Sequence, residues 1–177
     1  MKKQLIMEKA VQLFAENGIE ATTVQQITEK CGISKGAFYL SFKSKEELVY
    51  ELVDTYMKEI IADLDQSVSD EQSDEKLLYN YYYVMFQAFQ KHAGFAKIFL
   101  KEPLTEINIQ LRKQMETYTH QLNALCFSVV ERQYKYVAKK FYPDIVFLIQ
   151  GLIPTYGQLF LMDHFSVSLE DLCRATV

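Results

Sequence analysis

The sequence predicts an all-α protein with an N-terminal three-helix domain, joined by one long helix to a larger helical domain. Apolar residues recur at three- and four-residue spacing along most of the chain, which is the helical pattern. Only three prolines and six glycines interrupt the 177 residues. Polar capping residues and glycines fall where helices would begin and end. We place the domain boundary so that the domains span residues 1–46 and 47–177.

The first predicted helix covers residues 3–17. Ile6, Ala10 and Phe14 lie on one stripe of this helix and face the core. Gly18 follows it and can adopt the left-handed conformation that ends a helix. We therefore expect this helix to support the two that come next.

The stretch 21–48 predicts two short helices around a glycine. Thr23 can cap the first helix, with a glutamine three residues later at the capping-box position. Gly32 supplies the left-handed turn that ends it, and Ser34 caps a second helix over about residues 35–41. This layout is a helix-turn-helix, whose second helix enters the major groove of DNA.

A long helix is predicted next. Ser44 can cap it with Glu47 at the N3 position, and apolar residues recur every four positions from Leu48. No breaker occurs before Ser67, so the helix has about 22 residues and a length of roughly 33 Å. The acidic stretch 67–75 is then predicted as a loop.

Further helices are predicted in the rest of the chain. Their ranges are 76–92, 95–101 (stopped by Pro103), 105–138 as one long helix, 145–165, and a last helix capped by Ser168. The segment 145–165 is apolar almost all round, so we expect burial on most sides, with a kink at Pro154.

Charge and cysteine content narrow the class of protein only partly. The net charge is −4, yet residues 1–50 hold seven lysines and six glutamates, a net +1. Cys31, Cys126 and Cys173 are odd in number and widely spaced, which favours a reducing cytoplasm over a disulfide frame or zinc site. The sequence has no 18-residue apolar run and opens on a charged amphipathic pattern, so we expect neither a membrane span nor a signal peptide.

The first fifty residues carry a recognisable set of motifs. These are Asn17-Gly18, Thr22-Thr23-Val24, Ile27, Cys31-Gly32-Ile33-Ser34, Gly36, Phe38-Tyr39, Phe42 and Lys45-Glu46-Glu47-Leu48. With these motifs in order and without a gap, this quarter of the chain resembles the DNA-binding domain of the TetR family of bacterial transcriptional repressors. The resemblance implies that Thr23, Tyr39 and Lys45 contact the DNA backbone.

Residues at the start of the second short helix are candidates to read DNA bases. Lys35 can donate to guanine or equally to a phosphate, and Ala37 can meet a thymine methyl group. Gly36 would allow a close approach to the groove, unless it and Ala37 merely fit against the DNA. Ser34 caps this helix near phosphate. Ser41 stands where the family often has histidine, so a phosphate contact there would be uncharged.

The second domain is expected to bind a small apolar or aromatic effector and to form a homodimer. Dimerisation would use the two C-terminal helices and space two recognition helices about 34–36 Å apart. The pocket candidates are Tyr82, Phe86, Phe89, Phe95, Phe99 and Tyr118, with His120, Gln121 and Asn123 as polar groups. An aromatic stripe at helical spacing also suits an ordinary core, and that alternative stays open.

No enzyme chemistry is expected from this sequence. The three histidines are isolated, and we find no metal-ligand spacing, phosphate-binding glycine loop or nucleophile elbow, so no metal or cofactor is expected. We expect a cytoplasmic repressor that leaves a near-palindromic DNA operator when its effector binds. The alternative is a helical adaptor that keeps the motif only as a scaffold.

Overall fold

A computed structural model describes residues 2–102, 104–161 and 168–176, and within these ranges the chain is helical with no strand. The all-α class is therefore confirmed. Short 3-10 turns lie at Asp74–Lys76, Lys139–Phe141 and Gln158–Leu161. The helices are α1 (Lys2–Asn17), α2 (Val24–Cys31), α3 (Lys35–Tyr39), α4 (Lys45–Asp70), α5 (Leu77–Lys91), α6 (Ala93–Lys101), α7 (Leu104–Ile107), α8 (Ile109–Gln133), α9 (Tyr142–Gly157) and α10 (Leu169–Thr176).

The chain forms two compact units. The first combines Met1–Tyr56 with Gly94–Gln114, and the second combines Met57–Ala93 with Met115–Val177. Helix α4 contributes its first twelve residues to one unit and the remainder to the other. The predicted boundary between residues 46 and 47 separates two functional domains rather than compact units, and it stays a prediction.

The core of the first unit follows the predicted stripe of α1. Ile6, Ala10 and Phe14 are buried, and Gly18 has a φ of 89°, as the left-handed helix end requires. Helix α6 also approaches α1 closely, because a Cβ added at Gly94 would lie 2.7 Å from Val11 Cγ1. A side chain at position 94 would therefore clash with Val11, so glycine suits this contact between α6 and α1.

Helix α4 is longer than the sequence predicted. It has 26 residues and continues through the first residues of the stretch assigned to a loop. Val68 is buried and extends the four-residue apolar repeat. Arg132 then satisfies carbonyls near the end of the helix, because Nη1 donates to Val68 O at 2.9 Å and Nη2 donates to Glu71 O at 2.9 Å.

The predicted helix over 105–138 is interrupted at Asn108. The Oδ1 atom of Asn108 accepts from the Leu111 backbone N–H at 2.7 Å, which is an N-cap contact that starts α8. Helix α8 ends at Gln133, and residues 134–136 form a turn. The capping capacity of this asparagine was the local signal that the sequence prediction overlooked.

The core of the second unit contains a polar network around two tyrosines of α5. The Tyr82 hydroxyl donates to Ile149 O at 3.3 Å, and Gln150 Nε2 donates to the Tyr81 hydroxyl at 2.9 Å. Cys126 lies beside this network, and burial raises the pKa of its thiol to about 12. Burial also raises the pKa of Cys173 to about 11, whereas Cys31 in the first unit is only half-buried.

Helix α9 differs from the prediction of near-complete burial. Its last residue is Gly157, and Phe147 and Leu148 are 78% and 66% exposed. Pro154 lies inside the helix and Gly157 packs on the Phe89 ring. The predicted continuation over 162–165 lies outside the described residues.

None of the helices among the described residues is both long enough and apolar enough to cross a bilayer.

Candidate nucleic-acid interface

The helix-turn-helix is built by local hydrogen bonds that the sequence predicted. Thr23 and Gln26 form a reciprocal capping box, in which the Gln26 N–H donates to Thr23 Oγ1 at 3.2 Å and the Thr23 N–H donates to Gln26 Oε1 at 2.8 Å. Gly32 ends α2 with a φ of 65°, and Ser34 Oγ accepts from the Ala37 N–H at 3.1 Å. Thr23 and Ser34 are thus confirmed as helix caps.

Helix α3 has a buried side and an exposed side. Phe38 and Phe42 are 0% and 1% exposed, with ring centroids 5.8 Å apart, so they hold α3 against the first unit. On the opposite side the exposed residues are Ser34, Lys35, Gly36 and Tyr39, and Tyr39 is 53% exposed. Ala37 and Ser41 are half-buried at the edges of this surface.

Leu40 also lies on the exposed side of α3, and the sequence reasoning missed it. It is 91% exposed, although leucine is among the residues most often buried. A helical wheel drawn from Gly36 places residue 40 one turn later on the same face. That was the signal available in the sequence.

Lys45 does not extend freely into solvent. Its Nζ donates to Ile19 O at 2.8 Å, to Thr22 O at 2.9 Å and to Glu20 O at 3.3 Å. An ammonium has three hydrogens, so these carbonyls occupy all of them. Lys45 therefore ties the start of α4 to the turn between α1 and α2, and its expected phosphate contact stays a prediction.

The same turn is fixed from inside by Thr22. This side chain is fully buried, and its hydroxyl donates to Gly18 O at 2.7 Å. Beside the turn, a cavity of about 370 Å³ is lined by Ile19, Glu20, Lys45, Glu46, Val49, Glu102 and Ile107. Within this lining, the hydrogen bond from Ser44 lowers the pKa of the Glu46 carboxyl.

The residues predicted to bind an effector separate into buried and exposed groups. In the second unit, the Tyr82, Phe86 and Phe89 rings are buried and neighbour one another, with centroids 5.6 Å apart for the first pair and 6.4 Å for the second. Tyr118 is buried in the same unit. The exposed residues are His120, Gln121 and Asn123.

Phe95 and Phe99 belong to the first unit, where their rings lie 6.0 Å apart and Tyr56 stacks on Phe95 at 4.5 Å. Gln121 lines an open groove of about 570 Å³ in the second unit. The other residues of this groove are Lys58, Ile61, Ala62, Asp65, Ala124, Leu125 and Ser128. The assignment of all nine residues to an effector pocket stays a prediction.

One buried polar group in the first unit lacks a hydrogen-bond donor. Gln114 is 8% exposed, and its Nε2 donates to Asp54 Oδ1 at 3.2 Å, whereas its buried Oε1 accepts no hydrogen bond. An unsatisfied acceptor at this depth is costly and indicates a place for a donor from water or a ligand. No pattern in the sequence predicts this buried amide oxygen.

The described residues contain no group of three or more His, Cys, Asp or Glu side chains that could hold a metal ion. The geometry instead defines a helix-turn-helix protein, with a short helix held from behind by two phenylalanines and exposed in front. Residues 6–52 match the family described as bacterial regulatory proteins, tetR family. This segment is therefore similar to the corresponding segment of tetR-family regulatory proteins.

Relatives and solved structures agree with this similarity to transcriptional regulators. The chain is 34% identical to the Bacillus subtilis HTH-type transcriptional regulator YerO over 97% of its own length and 60% of that protein. It is 32% identical to the Mycobacterium tuberculosis repressor KstR2 over 55% of its length and 48% of that protein. The chain thus spans about three fifths of the length of YerO and less of KstR2.

Among solved structures, the fold resembles the transcriptional regulator FadR from Bacillus subtilis in complex with stearoyl-CoA. The TM-score is 0.80 or above for this and several other regulators. For FadR it is 0.82 at 20% identity, covering 98% of this chain and 94% of that one. At this identity the likeness concerns the fold.

Proposed function

We propose that this protein is a transcriptional regulator that binds double-stranded DNA through the exposed side of α3. One observation carries the proposal. Phe38 and Phe42 anchor α3 from behind, and the opposite side leaves Lys35, Gly36 and Tyr39 exposed within the family-matched segment. A rigidly held helix with a bare polar face suits insertion into the major groove.

The exposed residues divide into two roles in this proposal. The Tyr39 hydroxyl donates to a phosphate, which fixes position on the duplex without reading sequence. Lys35 reaches a base edge or a phosphate, and Gly36 allows close approach of the backbone. Thr23, Ser34 and Ser41 provide uncharged contacts to the DNA around these residues. A protein that acts in this way on chromosomal DNA works in the cytoplasm.

A salt titration of DNA binding tests the proposal. The dissociation constant of the protein on genomic fragments is measured at several salt concentrations, and the same is done for Lys35→Ala. If Lys35 contacts phosphate, the slope of log K against log salt falls by about 1 on every sequence. If it reads a base, the loss is confined to particular sequences.

Lys76→Ala is the matched control, since it removes the same charge from an exposed position in the second unit. It should leave the slope unchanged. A parent protein with no salt-dependent binding to any genomic fragment would refute the proposal and favour the adaptor alternative.

We further propose that the protein acts as a homodimer through α9, one of the two C-terminal helices expected to dimerise, together with α8. The exposed face of α9 carries Phe147, Leu148 and Leu152, and Phe127 of α8 is 41% exposed. Gly151 lies in open space on the same helix. An apolar surface of this kind is unusual on a monomer, and a second copy would cover it and pair two recognition helices for a palindromic site.

Sedimentation of the full chain tests the dimer. Phe147→Glu should shift the protein toward monomer at micromolar concentration, because each interface buries the residue twice. Tyr136→Glu is the control, since Tyr136 is 92% exposed and lies in the turn region after α8. Equal sedimentation of parent and Phe147→Glu would exclude α9 as the interface.

We propose, finally, that a small apolar or aromatic effector releases the protein from its operator. The support is the abundance of aromatic side chains, the repressor among the relatives, and the similar fold of a regulator in complex with stearoyl-CoA. The effector must prefer the conformation that cannot bind DNA, and DNA must then weaken effector binding by the same factor.

A thermal-shift screen with stearoyl-CoA, a steroid and a lipophilic aromatic compound tests this proposal. A true effector raises the melting temperature and weakens DNA binding together. Gln114→Leu probes the unsatisfied oxygen, and it should lower the affinity of an effector that donates to Oε1. A compound that binds without changing DNA affinity is not the effector.

A further inference from the structure

Leu40 is a large apolar side chain in an unusual position. It caps the C-terminal end of α3 and is 91% exposed. Its backbone is still helical, with φ −72° and ψ −22°, and its N–H donates to Gly36 O at 3.1 Å. Leu40 therefore lies one helical turn after Gly36 on the exposed side of α3.

The side chain of Leu40 lies next to the space that Gly36 leaves open. Side chains on a helix lean toward its N-terminus, so a residue covers the turn before its own Cα. A Cβ added at Gly36 would meet only Ser34 Oγ, at 3.8 Å, so this space is open. The isopropyl group thus lies on the same row of the helix as Gly36, beside the row formed by Lys35 and Tyr39, on the proposed DNA-binding face.

A leucine at this position cannot serve the phosphate backbone. It has no donor for a phosphate oxygen and no charge, and exposure to water gives it no stabilisation. The major groove offers one apolar group on base edges, the C5-methyl of thymine. Lys35 and Tyr39 can instead bind phosphates or polar base edges near this leucine.

We infer that Leu40 determines operator sequence by packing on the methyl group of one thymine in each half-site. The inference rests on the proposed DNA binding and adds to it a residue and a chemical group. It requires no change in fold, since the side chain is free of core contacts. The same surface without this leucine would still bind DNA but would lose its preference for thymine at that position.

The experiment replaces thymine by uracil, which removes only the C5-methyl group. Duplexes are first enriched from a random library by the parent protein, and each thymine of the enriched site is then replaced in turn. Dissociation constants are measured for the parent and for Leu40→Ala. Leu5→Ala is the control, since Leu5 is a partly exposed leucine on α1 of the same unit.

The parent and Leu5→Ala should bind about fourfold more weakly when one particular thymine in each half-site becomes uracil, since burying one methyl group stabilises by about 0.8 kcal/mol. Leu40→Ala should bind both duplexes equally and keep the parent melting temperature. A parent insensitive to every uracil, or a Leu40→Ala variant as sensitive as the parent, overturns the inference while DNA binding stands. Failure of the parent to enrich or bind any duplex overturns the proposed function itself.

Discussion

Replacement of Lys45 by methionine tests the link between the start of α4 and the turn before α2. Methionine retains much of the aliphatic stem and removes the ammonium, so the change isolates three hydrogen bonds. Two of them, to Ile19 O and Thr22 O, are 2.8 and 2.9 Å long, and the third, to Glu20 O, is 3.3 Å long and exposed. A net hydrogen bond contributes about 0.5–1.5 kcal/mol.

Lys45→Met should therefore lower the free energy of unfolding by about 2–3 kcal/mol, since the long exposed bond adds little. For a chain of this size such a loss lowers the melting temperature by about 5–10 °C. Thermal unfolding followed by circular dichroism measures it. Lys43→Met is the control, because Lys43 is exposed and only its backbone N–H is engaged, by Glu47.

The salt dependence of DNA binding separates this role of Lys45 from a phosphate contact. If the ammonium stays on the three carbonyls when DNA binds, Lys45→Met leaves the salt slope unchanged at temperatures where the variant is folded. A phosphate contact instead reduces the slope by about 1. A melting temperature within about 2 °C of the parent, together with a reduced slope, would show that the reasoning about the turn is wrong.

Three further substitutions should affect stability. Phe38→Ala should destabilise the first unit by about 3–5 kcal/mol, measured by urea unfolding, because the ring is fully buried. Gly157→Ala should cost about 1–3 kcal/mol in the same assay, because the added Cβ overlaps the Phe89 ring. Arg132→Ala should cost about 2 kcal/mol through its lost bonds near the end of α4, and hydrogen exchange there should rise. Unchanged unfolding midpoints would contradict these expectations.

Local interactions explain why most of the helix-turn-helix could be predicted from the sequence. The Thr23 capping box, the left-handed Gly32 and the Ser34 cap all depend on residues within three or four positions of one another. Phe38 and Phe42 recur at helical spacing and are buried. Each of these structures is determined by neighbouring residues, so predicting it needs no information from distant parts of the chain.

The features that escaped prediction depend on distant residues. Lys45 bonds to carbonyls 23–26 positions earlier, and no local pattern tells where so long a side chain will point. The end of α4 was misplaced because Arg132, about sixty residues further on, satisfies its carbonyls. The exposed face of α9 could not be told from a buried one, since both are equally apolar in sequence.

The unequal burial of the three cysteines makes the protein convenient for spectroscopy. Only the thiolate form attacks a maleimide, and the raised pKa values of Cys126 and Cys173, about 12 and about 11, leave almost none of it at neutral pH. Burial raises the pKa of the Cys31 thiol too, but Cys31 is the least buried of the three and ends α2, just before the turn into α3. A fluorophore attached at this native thiol would report on the helix-turn-helix without any engineered substitution.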